Sequence, residues 1–248
     1  MSALLAFQLR RIGRNRQYLL FTVLLPALFT VFFTKIFGAQ GGGVPKYQDF
    51  AAFYMVSMMA YGALGAALGA TIRLAFDRAS GWLRQLRVTP IRPGHLLATD
   101  VIVGALLTLP SLIVVALVGR FVNGVQLGFG TWVALVAVLW AGSIAFVALG
   151  LLVGLVLEER AAGAAIGITG VVLAALGGLW VPIDIFPSGM KALAHAMPSY
   201  WYAQLGRDVA AGTAPSVVAV VVLAGFTAGF AALALAVSRW RPMYAVSG

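Results

Sequence analysis

Six apolar runs, at residues 17–37, 50–72, 95–118, 131–157, 161–181 and 215–237, constrain this chain more than any other feature. A bilayer core takes roughly 20 apolar residues per helical crossing, so runs of this length predict transmembrane helices and exclude a barrel of short alternating strands. The expected fold is an all-α polytopic membrane protein, with six spans in one domain over residues 1–248. A composition of 62% hydrophobic and 10% charged residues excludes a soluble domain. With no cysteine, disulfides and thiolate metal sites are excluded as well.

Residues 1–16 place Leu5, Leu9 and Ile12 on one helical face and four arginines just before the first run, which predicts an interfacial helix feeding a span. The run at 17–37 is too long for a signal-peptide core and lacks a cleavage site after it, so it reads as a retained span, kinked at Pro26. A Gly-rich loop at 38–49 follows. The second span carries Gly62, Gly65 and Gly69, small residues that let helices approach closely. Pro110 lies inside the third span, and Glu158, Glu159 and Arg160 form the turn between the fourth and fifth. Four Gly-x-x-x-Gly pairs, Gly65/Gly69, Gly150/Gly154, Gly163/Gly167 and Gly225/Gly229, serve either dimerisation or packing within one bundle.

Two segments break the apolar pattern. Residues 73–94 hold 5 of the 17 basic residues. At 100° per residue, Arg73, Asp77, Ser80, Arg84 and Arg87 fall on one side of a helix, and Ala75, Phe76, Ala79, Trp82, Leu83 and Leu86 on the other. Pro90 and Pro93 then turn the chain. Such a helix is either a membrane-surface link between spans or a docking element for a soluble partner. Residues 182–212 have Pro182, Pro187 and Pro198 but no continuous 20-residue apolar run. They predict two short helices, 190–197 and 199–211, dipping into one leaflet without crossing it. There Tyr200, Trp201 and Tyr202 would settle at the headgroups, while Lys191, Arg207 and Asp208 keep their charges near water.

The net charge of +10 is a topology signal here. The arginines sit beside apolar spans, not among stacking aromatics on a soluble platform, which argues against nucleic acid. Basic residues favour cytoplasmic span ends. A cytoplasmic amino terminus places 12 of the 17 inside, with both termini and residues 73–94 in the cytoplasm and residues 182–212 at the outer face.

No HExxH motif and no nucleophile paired with a base occurs. His95 and His195 stand alone, which favours interfacial packing over a metal or catalytic role. No Gly-rich loop leads into Lys-Ser or Lys-Thr, so a P-loop is absent and nucleotide is not expected to bind this chain. Mid-span positions carry no Asp, Glu, Lys or Arg; Asp100, near the start of the third span, is the nearest and reads as snorkelling or pairing with an arginine. Energy for any transport must then enter from outside the membrane. Phe53, Tyr54, Met55, Met58, Met59 and Tyr61 form a Met/aromatic cluster that would suit a greasy substrate, with helix packing or lipid contact as the alternative.

Asp77, Gly81, Leu83, Leu86, Thr89 and Pro90, spaced D-xxx-G-x-L-xx-L-xx-T-P, resemble the cytoplasmic coupling-helix signature of type-2 ABC exporter permeases, and Trp82 lies on the apolar face with Leu83 and Leu86. Pro182, Pro187, Pro198, Arg207 and Gly212 match the spacing of that family's Pro/Arg/Gly stretch between its fifth and sixth spans. The pattern departs at Ala79, Trp82 and Arg84, where acids and a small polar residue are expected, giving a basic helix face. The resemblance implies a subunit that dimerises, as a homodimer or a heterodimer, in the bacterial plasma membrane. It also implies two separate cytoplasmic P-loop ATPase subunits that hold ATP and Mg, and export of amphipathic drugs, antibiotics, lipids or polysaccharide. A non-transporting scaffold or sensor subunit, or a membrane-embedded enzyme, are the alternatives.

Overall fold

A computed structural model describes residues 20–38, 47–79 and 93–240. The interfacial helix expected at 1–16 and the coupling positions Gly81, Trp82, Leu83, Leu86, Thr89 and Pro90 lie outside the described residues. All regular structure among those residues is helical. A π-helical turn, Leu20–Leu24, leads into α1, Leu25–Gly38; then follow α2, Tyr47–Thr71, and α3, Arg73–Ala79. Next come α4, Pro93–Phe121; α5, Phe129–Gly142; α6, Ile144–Val156; and α7, Glu159–Leu176. A 3-10 turn, Ile183–Ile185, precedes α8, Ser188–His195; α9, Pro198–Ala210; and α10, Val217–Trp240.

Among the described residues, four stretches are long and apolar enough to cross a membrane: Asp49–Asp77, Ala98–Phe121, Phe129–Val156 and Val217–Ser238. Leu20–Ile36 and Arg160–Leu176 are apolar but shorter. The fifth run, expected at 161–181, ends as a helix at Leu176 because Gly178, at φ +71°, turns the backbone into the left-handed region. The fourth stands as one stretch, Phe129–Val156, interrupted in its regular bonding only at Ser143, which stays in the helical region at φ −64° and ψ −18° between α5 and α6.

α2 is the axis of the bundle. It packs on α1, α4, α6 and α9, and its residues from Tyr54 to Leu68 are almost all fully buried. Small side chains on its neighbours make this possible. A Cβ on Gly150 would strike Thr71 and stand 3.2 Å from the Leu68 backbone, and one on Gly154 would stand 3.2 Å from the Thr71 carbonyl. The Gly150/Gly154 pair thus serves packing inside the bundle, whereas Gly225 and Gly229 face open space.

The distortion expected at Pro26 takes the form of the π turn just before it. Proline has no N–H, so the carbonyl of Thr22, four residues earlier, loses its helical donor. The hydroxyl of Ser111 on α4 replaces it, donating to Thr22 O at 2.7 Å. Gly62 on α2 makes room for that junction, since a Cβ there would collide with Ser111 and stand 3.0 Å from Pro26. At the other end of α1, Asn123 Nδ2 donates to Thr30 O and to Thr34 Oγ1, both at 3.1 Å. Interhelical side-chain bonds of this kind hold helices together where apolar burial offers little contrast with lipid.

α3 begins one residue after α2. Its packed edge differs from the apolar face expected at 75, 76 and 79: Leu74 and Ala75 are buried, while Phe76 is 40% exposed. The cause is Gly154 on α6, whose missing side chain admits Leu74 and Ala75. Asp77 is half-buried at the end of this stretch.

Candidate functional site

The 182–212 segment forms a wedge whose prolines start helices as well as break them. Pro187 immediately precedes α8 and Pro198 is the first residue of α9, where a missing N–H costs nothing. α9 buries Ser199, Tyr202, Ala203, Leu205, Gly206 and Val209 against α2, α5 and α10. Gly206 permits the approach, since a Cβ there would stand 2.7 Å from Val56 Cγ1 and 3.0 Å from Leu139 Cδ2.

Tyr202 departs from expectation. Instead of settling at a headgroup layer it is fully buried, its hydroxyl donating to Leu139 O at 2.8 Å and its ring 5.1 Å from that of Phe146. A tyrosine can occupy a core when its hydroxyl finds such an acceptor. Tyr200 and Trp201 stay partly exposed and cluster with His195, whose ring lies 4.7 Å from Tyr200 and whose carbonyl accepts Trp201 Nε1–H at 2.7 Å. Ser199 donates to Leu173 O at 2.6 Å, tying α9 to the end of α7.

Arg207, expected near water, is half-buried and bonded inward. Its guanidinium Nη2 donates to Ser57 Oγ of α2 at 3.2 Å and to Gly178 O at 3.0 Å, and it lies 4.3 Å from the centroid of the Phe53 ring. Cation–π contact and charge-assisted hydrogen bonds partly compensate desolvation of this cation, while Arg207 Nε is buried without a partner. Beside it opens a cleft of about 260 Å³ lined by Asp49, Ala52, Phe53, Val56, Arg207, Ala210 and Ala211. Asp208 turns the other way, accepting Gln204 Nε2–H at 2.7 Å and the Ser216 N–H at 2.8 Å, which fixes the link into α10.

The six Met/aromatic candidates on α2 divide. Met55, Met58 and Met59 are fully buried in the chain's own core, Tyr54 nearly so, with its ring stacked on Phe33 at 5.4 Å. Phe53 borders the Arg207 cleft, and Tyr61 meets Trp180 edge-on at 5.5 Å, two residues before Pro182. The arrangement therefore brings Phe53 together with Arg207 and Tyr61 with Trp180, and leaves the methionines as packing. Ser57 and Gly178, which hold Arg207, escaped the sequence reading. The available signal was a lone serine inside the second apolar run and a Gly-Gly pair before Pro182. Among the described residues no group of three or more His, Asp or Glu side chains could hold a metal ion.

What this arrangement offers is mechanical connection. α2 is bonded to α9 near its middle, through Ser57 and Arg207, and is followed at its carboxyl end, after a single residue, by α3. Residues 1–211 match the model of the family described as ABC-2 type transporter. Over 236 residues, 94% of each chain, the protein is 26% identical to "Putative transport permease YvfS" of Bacillus subtilis (strain 168). An all-helical, polytopic chain matched over most of its length in this way belongs to the ABC-2 type transporter family.

Proposed function

We propose that this protein is the membrane-spanning subunit of an ATP-driven exporter that moves a hydrophobic or amphipathic substrate, such as a drug, antibiotic or lipid-like molecule, out across a bacterial plasma membrane. Six spans place both termini in the cytoplasm. Two cytoplasmic ATPase subunits bind ATP and Mg, and the permease works as a dimer with a second copy or a related chain. Family membership over residues 1–211 carries this reading, together with a sequence that has no P-loop of its own.

The mechanism follows from the connections of α2. Closure of the ATPase pair displaces the helix of residues 73–94, with Leu83 and Leu86 buried against the partner and Thr89-Pro90 ending it. The proximity of α3 to α2, and the seating of Leu74 and Ala75 on α6, support transmission of that displacement as a rigid-body tilt. Further along α2 the Ser57–Arg207 bond carries the tilt to α9, so that residues 182–212 open and close the exit. Phe53 and the adjoining cleft are then the surfaces met by a departing substrate.

Purified alone, the chain neither binds nor hydrolyses ATP, and ATP-dependent transport appears only on reconstitution with a separate ATPase. Hydrolysis by the pure chain that persists when contaminating ATPases are removed contradicts the proposal. Single cysteines at Ser188 and Gly212 are both labelled by an impermeant thiol reagent added outside whole cells; labelling of either only from the cytoplasmic side overturns the assigned topology.

A further inference from the structure

One charged group plays no part in this scheme. Arg120, at the end of α4, is exposed, and no hydrogen bond or ion pair to it occurs among the described residues. It stands at the junction of two adjacent cavities that share Arg120 and Leu127. One, of about 610 Å³, is bordered by the connecting loop with Gly124 and Gln126. The other, of about 640 Å³, is an apolar groove between α4 and α5.

The groove is built by two facing stripes of helical periodicity. On α4 the stripe runs through Leu109, Ile113 and Leu117 to Arg120, and on α5 from Phe129 through Val133 to Trp140. Each stripe covers eleven residue steps, about 16 Å at 1.5 Å per residue, which is one leaflet of a roughly 30 Å hydrocarbon core. It is apolar along its length and cationic at one end. Trp140 closes the deep end, its indole N–H held by Ala105 O at 2.9 Å. A soluble anion would have no use for such a groove, and a neutral acyl chain none for the arginine.

We propose that this groove is a binding site for one anionic glycerophospholipid, its phosphate on Arg120 at the loop end and one acyl chain lying between α4 and α5. The site is separate from the Arg207 cleft and does not depend on transport. One arginine near a membrane surface is worth about 1 kcal/mol toward anionic lipid, which is about fivefold in relative affinity at 25 °C.

The absence of native cysteine makes the test direct. A bimane on Val133→Cys, in the groove and 54% exposed, reports contact with lipids brominated in their acyl chains. With the protein in vesicles of mixed phosphatidylglycerol and phosphatidylcholine, brominated in one or the other, the label is quenched with about fivefold preference for phosphatidylglycerol. Arg120→Gln brings the preference to about one, Arg120→Lys retains it, and Ala137→Phe, which fills the groove, reduces quenching by both lipids. A label on Val221→Cys of α10, 61% exposed on an apolar face, shows no preference. Equal quenching by the two lipids at Val133→Cys, an unchanged preference in Arg120→Gln, or the same preference at Val221→Cys overturns the proposal. Loss of the preference in excess inorganic phosphate overturns it too, since the site would then bind a free anion.

Discussion

α2 and α10 are helices of similar length, and hydropathy ranks them opposite to their places in the bundle. The Asp49–Asp77 stretch has a mean hydropathy of 1.5 with 72% of its apolar window buried, against 2.4 and 17% for Val217–Ser238. In water the more apolar helix would be the inner one. In lipid the hydrocarbon outside is as apolar as leucine, so exclusion from solvent does not select the core; close packing and hydrogen bonds do. α2 therefore carries Gly, Ala, Ser and Met and sits in the centre, while α10 displays Val217, Val218, Val220 and Val221 on its exposed surface.

This contrast is broken most strongly at Arg207, the bond between α2 and the 182–212 wedge. Hydrogen bonds to a charged group contribute about 1.5–3 kcal/mol, so Arg207→Ala lowers stability in detergent by that order and reduces transport at least tenfold. Arg207→Lys recovers only part of either, because an ammonium cannot reproduce a guanidinium that bonds two acceptors and faces a ring. Wild-type behaviour in Arg207→Ala would leave α9 docked by apolar packing alone.

Gly62→Ala forces Ser111 away from Thr22 and crowds Pro26, and overpacking of this kind costs about 1–3 kcal/mol. Gly225→Ala on α10, where a Cβ meets nothing, stays within about 0.5 kcal/mol of wild type in the same chemical unfolding measurement. Equal costs at the two positions would remove the distinction between inner and outer helix. Ser111→Ala, which leaves the Thr22 carbonyl without its replacement donor, has the smaller effect of about 0.6–1.7 kcal/mol expected of interhelical bonds in membranes.

Helix type and approximate extent were legible wherever a run was long and uninterrupted, because backbone bonding inside a bilayer leaves few alternatives. Pro182, Pro187 and Pro198 likewise signalled short helices in place of a continuous one, and these stand at Ser188–His195 and Pro198–Ala210. Depth was not legible. Tyr202 reads as an interfacial ring beside Tyr200 and Trp201, yet it is buried, because its place depends on Gly142 and on the Leu139 carbonyl 63 residues earlier in the chain. For Met55, Met58 and Met59 the sequence left cavity lining and helix packing both open for the same reason: a helix whose faces are all apolar does not disclose which face meets a neighbour. The end of α7 at Leu176 followed from a local backbone choice that a hydropathy window averages away.

The most direct test of the account concerns the segment that follows α2, residues 73–94. The complex with its ATPase is reconstituted in vesicles, and ATP-dependent movement is measured for the candidate compound that most stimulates hydrolysis. The same is done with Leu86→Asp, which places a charge on the ridge that the proposed function buries against the ATPase. The account predicts a variant that inserts normally but has lost transport and substrate-stimulated hydrolysis. Transport at the wild-type rate in Leu86→Asp would make residues 73–94 a membrane-surface link with no part in coupling.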